Sequence, residues 1–183
     1  TYPLGPLTED EKRFYTWTLQ SHIDLARAVW LDYCECKMID TIAREPLWRH
    51  LINYRCGTGH SVSFVGNVHE GPHALNSRNT TRMRPGMVVT DEPGVYETDL
   101  VGIRIENELV CIHKADNQYG TFLGFEPLTF VPIATSPILP GVLDKDELAW
   151  LNDYHRQVFA KLAPHLNAEE RVWLAEKCAS IGC

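Results

Sequence analysis

Apolar positions recur at helical spacing near the start of the chain, where Tyr15, Leu19, Ile23, Ala26 and Trp30 form one stripe. That spacing predicts a long amphipathic helix. Thr8 precedes it with Glu11 three residues on, so the hydroxyl can accept a first-turn amide while the carboxylate reaches back to the start. A second helix is predicted from Met38 to Leu51, with Pro46 kinking it or starting a new turn, and Gly57-Thr58-Gly59 breaks the pattern. From residue 60 the period shortens to two. Val62 and Phe64 alternate with Ser61 and Ser63, Met87-Val88-Val89 is apolar and largely β-branched, and Ile103 to Ile112 alternates as a half-buried strand should. One face of that strand carries Ile103, Ile105, Leu109 and Cys111, and the other Arg104, Glu106 and Glu108. Pro93-Gly94 and Asp116-Asn117 read as turns, and Thr121 to Ile133 as a further strand region interrupted by Gly124 and Pro127. Helical spacing returns in Leu148, Leu151, Val158 and Leu162 behind a second cap at Asp144 and Glu147. Pro164 stops that helix, and Asn167 with Glu170 opens a last short one. Two helices, several antiparallel strands and two more helices make an α+β domain.

Composition narrows the possible roles. A length of 183 residues, 44% of them hydrophobic and 22% charged, is that of one ordinary folded domain. A formal net charge of −7 argues against a nucleic-acid or anionic-membrane surface, which needs clustered cations. No apolar run approaches the roughly 20 residues of a membrane helix. The opening Thr1-Tyr2-Pro3-Leu4-Gly5-Pro6 shows neither the basic nor the apolar part of a secretory signal. It also lacks an initiator Met, as expected of a chain that begins inside a longer reading frame or follows a removed tag. Of the six cysteines, Cys34 and Cys36 stand too close for the common zinc-ribbon spacing, and no second pair matches them. The reading is free thiols in a cytoplasmic protein.

Four segments carry candidate chemistry: Gly57-Thr58-Gly59-His60, Val68-His69-Glu70-Gly71-Pro72, Thr90-Asp91-Glu92-Pro93-Gly94 and Arg104-Ile105-Glu106-Asn107. Taken singly, each has an ordinary explanation as a turn or a solvated strand face. Together, one imidazole and two carboxylates at strand ends form a mixed nitrogen and oxygen ligand set, suited to a divalent Mn, Fe, Co or Zn ion. Arg104 lies two residues before Glu106, on the same side of a strand, where it could orient a carboxylate or hold substrate.

The ordered stretches GTGH, VHEGP, GMVVTDEPGVY, GIRIEN and FLGFEPLTFVPI resemble the Xaa-Pro aminopeptidases of the creatinase-like, or pita-bread, fold. The helical segments LTEDEKRFYTWTLQSHIDLARAVW, IDTIAREPLW and ELAWLNDYHRQV are similar too, so the resemblance covers essentially the whole chain. It implies a curved antiparallel sheet with helices on its outer face. It matches His60, Glu92 and Glu106 to metal ligands, His69 to a catalytic histidine and Arg104 to a substrate-binding arginine. The implied cofactor is a pair of divalent ions, commonly manganese, and the implied substrate is a peptide with proline in second position.

The same resemblance exposes departures. The family draws two further aspartate ligands from a hairpin upstream of the first helix seen here. The chain therefore reads as the C-terminal half of the catalytic domain over residues 1–183, inactive alone. Cys56 stands where the family has a histidine, and Ser61 and Ser63 where it has glycines. A half-core would expose apolar surface, so self-association into a homo-oligomer is expected. The other reading is a non-catalytic remnant or oligomerising interaction protein.

Overall fold

A computed structural model describes residues 1–182. These fall into two compact units, residues 17–129 and residues 1–16 with 130–182. The first helix, α1 (Glu9–Ala26), contributes to both. It starts as its sequence directs: Glu11 Oε2 accepts the Thr8 amide at 2.6 Å, and Thr8 Oγ1 accepts that of Glu11 at 3.3 Å. Tyr15, Leu19, Ile23 and Ala26 are buried. Trp30, the last member of the predicted stripe, belongs instead to strand β1 (Val29–Leu31).

In the larger unit, α2 (Cys36–Trp48) runs through Pro46 without ending there, beginning and ending earlier than its periodicity predicts. Leu51 adopts φ 59°, and Ile52 donates to Leu47 O at 3.1 Å, so the chain leaves the helix through a left-handed residue. The short strands β2 (Gly59–His60) and β3 (Ala74–Leu75) pair with each other, as do β5 (Gly94–Glu97) and β6 (Val101–Arg104). A four-stranded antiparallel sheet runs in the order β1, β8 (Gly120–Pro127), β7 (Asn107–Asn117), β4 (Val88–Asp91). Leu19, Ile23, Ile39, Leu75, Val89 and Leu109 are among the larger unit's fully buried side chains. Each stabilises the unit by about 1.5–3 kcal/mol relative to exposure.

Four strand expectations need correction. Ser61 bridges Val89, but residues 62–72 form a loop with Phe64 and Val65 fully in solvent, because alternation without a neighbouring edge builds no ladder. The strand predicted from Ile103 to Ile112 is two strands, parted at Ile105 and Glu106. Asp116 and Asn117 lie inside β7, and the hairpin turns two residues later, at Gln118 and Tyr119. Strand β8 passes straight through Gly124 and ends at Pro127, which has no amide to extend the ladder.

The smaller unit holds the remaining helices, α3 (Lys145–Leu162), a 3₁₀ turn at Ala163–His165 and α4 (Ala168–Lys177). Both predicted capping boxes are formed, at Asp144 with Glu147 and at Asn167 with Glu170. Two buried polar side chains of α3 serve the adjoining segment: Tyr154 Oη donates to Val131 O at 3.0 Å, and His155 Nε2 accepts the Ile133 amide at 3.0 Å. Cys34, Cys36, Cys56, Cys111 and Cys178 are free thiols, and Cys183 lies outside the described residues. Among the described residues, no helix is long and apolar enough to cross a membrane.

Candidate metal centre

The site is built on an interrupted ribbon. Strand β4 pairs with β7 as far as Asp91 opposite Asn107, and pairing resumes with Gly94 of β5 opposite Arg104 of β6. The step is three residues forward on one strand and three back on the other, so the register carries through the gap. Glu92 therefore falls opposite Glu106, and Pro93 opposite Ile105. Directly opposed like charges destabilise a ladder, and proline cannot donate to one, which accounts for the opening at this level. Glu106 bears the mark of this placement: burial, and then the charge of Glu92, raise its carboxyl above the usual carboxylate range, with Arg104 and His60 opposing.

A third segment closes on the other edge of β4. The Glu92 amide donates to Thr58 O at 2.7 Å, and the His60 amide to Thr90 Oγ1 at 2.9 Å. Such contact requires Gly59, since a Cβ there would lie 1.7 Å from Thr90 O. Thr90 Oγ1 in turn donates to Glu92 Oε1 at 2.9 Å, and His60 Nε2 stands 3.1 Å from the same oxygen. Arg104 Nη1 holds Glu92 Oε2 at 2.5 Å, with its guanidinium 5.5 Å from the centre of the Tyr96 ring. Glu92 is 7% exposed, so this is a charge-assisted contact in a poorly solvated place and stronger than a surface ion pair.

Two more side chains border these groups. The loop after Ser61 returns so that the Glu70 amide donates to Ser61 O at 3.1 Å, and the exposed His69 ring lies 4.0 Å, centre to centre, from that of His60. Cys56 Sγ lies 3.7 Å from Gly94 O and 4.0 Å from Arg104 Nη2, facing the arginine that binds Glu92.

Sequence reasoning missed a group on the opposite face of the ribbon. His22 of α1 and Asp91 are fully buried, with His22 Nδ1 3.0 Å from Asp91 Oδ2. Asn107 Nδ2 lies 3.3 Å from His22 Nε2. Burial pushes the Asp91 carboxyl up to about 6 against the nearby His22, with Glu106 and Glu92 adding to the rise. The available signal was His22 itself, a polar residue set at helical spacing among Leu19, Ile23 and Ala26.

All five side chains singled out in the sequence thus share one neighbourhood. His60, Glu92 and Arg104 touch, Glu106 faces Glu92, and His69 packs on His60. Among the described residues, no three histidine, cysteine, aspartate or glutamate side chains are drawn around a common point as a bound ion would draw them. The donors nonetheless fit a divalent cation: an imidazole with two facing carboxylates whose repulsion is only partly offset by Arg104.

Comparison with known proteins identifies the family. The model of metallopeptidase family M24 matches residues 1–113, and that of the C-terminal region of peptidase M24 matches residues 121–181. A probable Xaa-Pro aminopeptidase P from Laccaria bicolor is 39% identical over 99% of this chain, which covers 29% of that protein. Aminopeptidase P1 of Lotus japonicus is 39% identical over the whole chain and 28% of its own length. An X-prolyl aminopeptidase structure from Caenorhabditis elegans, described as a cytosolic enzyme with a di-nuclear active site, superposes with a TM-score of 0.91. It is 36% identical over 99% of this chain and 30% of that one. A prolidase from Pyrococcus furiosus superposes less fully, with a TM-score of 0.60 and 26% identity over 71% of this chain and 35% of its own. The chain therefore spans less than a third of the length of the aminopeptidase relatives it matches.

Proposed function

The chain belongs to metallopeptidase family M24 and has its pita-bread architecture, and from that premise we propose that it carries one wall of a dinuclear aminopeptidase site. The wall consists of His60, Glu92 and Glu106, and the substrate class is a peptide with proline in second position. The observation that carries this reading is the in-register opening that sets Glu92 against Glu106 beside His60. A bound divalent ion, with manganese the expected one, would supply Lewis acidity toward the scissile carbonyl and lower the pKa of attacking water.

The chain's own groups divide the remaining work. Arg104 fixes one oxygen of Glu92, and Thr90 fixes the other, so this carboxylate is oriented before any ligand arrives. His69 is exposed and lies against His60, where its free nitrogen can exchange a proton with a substrate amide. Arg104 also has the charge to receive a substrate carbonyl. The three donors of this wall hold at most one ion by themselves, so in this reading the chain supplies the C-terminal half of a catalytic domain and does not turn over alone. The free thiols and the cytosolic relative support a cytoplasmic location.

A second reading is favoured by the loop beside His69. Phe64, Val65 and Val68 are exposed there, an apolar surface suited to association between copies of the chain or with a second polypeptide. A protein built for association alone would keep this loop and dispense with the ligands.

Metal analysis and an Xaa-Pro peptide hydrolysis assay on the same purified protein test both readings. The expected result is no more than one Mn(II) per chain, lost in His60→Ala and Glu92→Gln, without turnover. Two ions per chain with turnover would overturn the incomplete wall. Uptake indifferent to both substitutions would overturn the centre itself. Sedimentation of wild type against a Phe64→Ser, Val68→Ser variant reads the association.

A further inference from the structure

The opposed glutamates raise a mechanical question. Two carboxylates facing each other across an unpaired step repel, and the ladder at their own level contributes no hydrogen bonds to hold them. The nearest ladder rung is Asp91 with Asn107, the last of the four-stranded sheet. Because side chains alternate along a strand, that rung points away from the glutamates, into the buried face where α1 lies. There one imidazole meets both of its members: His22 Nδ1 is 3.0 Å from Asp91 on β4, and Nε2 is 3.3 Å from Asn107 on β7.

We propose that His22 is a positioning residue for the candidate metal centre, clamping the Asp91–Asn107 rung so that Glu92 and Glu106, one step beyond, stay level and at a fixed separation. The proposal rests on the reading of those glutamates as ligands. An apolar residue at position 22 would continue the stripe of Leu19 and Ile23 without burying any polar group, and a hydroxyl would reach only one strand. The two ring nitrogens span the rung. With Nε2 accepting the Asn107 amide, the ring proton lies on Nδ1, 3.0 Å from Asp91 Oδ2, so the same ring sets one edge against each strand. The clamp acts from behind and leaves the donor face open.

The test separates positioning from general support. Amide hydrogen exchange reads the Glu92 amide, bound to Thr58 O, and the Glu108 amide, bound to Thr129 Oγ1. The Cys111 amide, bound to Met87 O, serves as the reference within the same unit. In His22→Gln, whose side chain can still reach Asn107 but no longer serves Asp91, exchange at Glu92 is expected to rise at least tenfold beyond any change at Cys111. In His22→Asn, which keeps a donor where Nδ1 stood, the excess moves to Glu108. Mn(II) affinity should fall about 10- to 100-fold in both, the usual loss when a group that orients a ligand is removed. If either variant does not fold, Asn107→Ala tests the β7 arm in its place, with the excess expected at Glu108.

Equal loss of protection at all three amides would make His22 a plain core residue and overturn the proposal, as would unchanged metal affinity in variants that still fold. If the wild-type chain takes up no Mn(II), the ligand reading fails, while the exchange pattern still decides whether His22 clamps the rung.

Discussion

His22 and His155 are both wholly buried, and they do opposite things. His155, in the smaller unit, accepts a single backbone amide from Ile133, and burial lowers its pKa, so it sits in the core as a neutral acceptor. His22, in the larger unit, faces a carboxylate and a carboxamide from two strands, each the chain neighbour of a candidate ligand. The same side chain is an ordinary buried polar group in one place and part of a charged assembly in the other. What separates them is the company: a buried histidine with one backbone partner reports packing, whereas one that joins two strands beside facing carboxylates reports a site.

The strongest attack on this contrast falls on the larger unit. Gly59→Ala drives a methyl group into Thr90 O and should cost about 3 kcal/mol in urea unfolding. Metal uptake should be lost with it, because His60 and Glu92 both hang from that contact. Next in size is His155→Phe, which leaves the Ile133 amide buried without an acceptor, at about 2 kcal/mol. His155→Gln, which restores an acceptor, should recover most of the loss. The wild-type protein should also show an acid limb that this residue explains. The folded imidazole binds its proton less firmly than the unfolded one, so the unfolded chain takes up more protons as pH falls. The contribution is full above the ordinary value of 6.5 and is lost as pH falls below it toward the folded pKa. Denaturation curves from neutral to mildly acid pH should lose that limb in His155→Gln. Smallest are the caps: Asp144→Ala or Asn167→Ala should each cost about 1 kcal/mol with metal affinity unchanged. If a cap substitution weakened metal binding, the separation drawn between the two regions would fail.

What could be read in advance follows the range of the interactions. The starts of α1, α3 and α4 were legible because a cap is written within four residues, as in Thr8 and Glu11 or Asp144 and Glu147. Strand limits were not, since they depend on a partner far along the chain. Val62 and Phe64 alternate as a strand would yet have no edge to join, and Ile103 to Ile112 alternates straight across a step where pairing stops. For the site, the five side chains carried by short motifs do gather in space, though their roles rest on the family and on the experiments proposed above. His22 escaped notice because it carries no motif. Its meaning depends on Asp91 and Asn107, and nothing local to the helix announces either.

The continuous register across the opened step also governs which lengths the chain can tolerate. The apex at Thr98–Leu100 joins β5 to β6 and lies beyond both glutamates. Extra residues can enter that bend, as in any exposed hairpin tip, without disturbing the face opposite α1. One residue inserted between Asp91 and Gly94, or between Arg104 and Asn107, would put one side of the ribbon out of phase with the other. It would swing a carboxylate to the wrong surface. Insertions among relatives should therefore collect at the apex and be missing from those two short intervals.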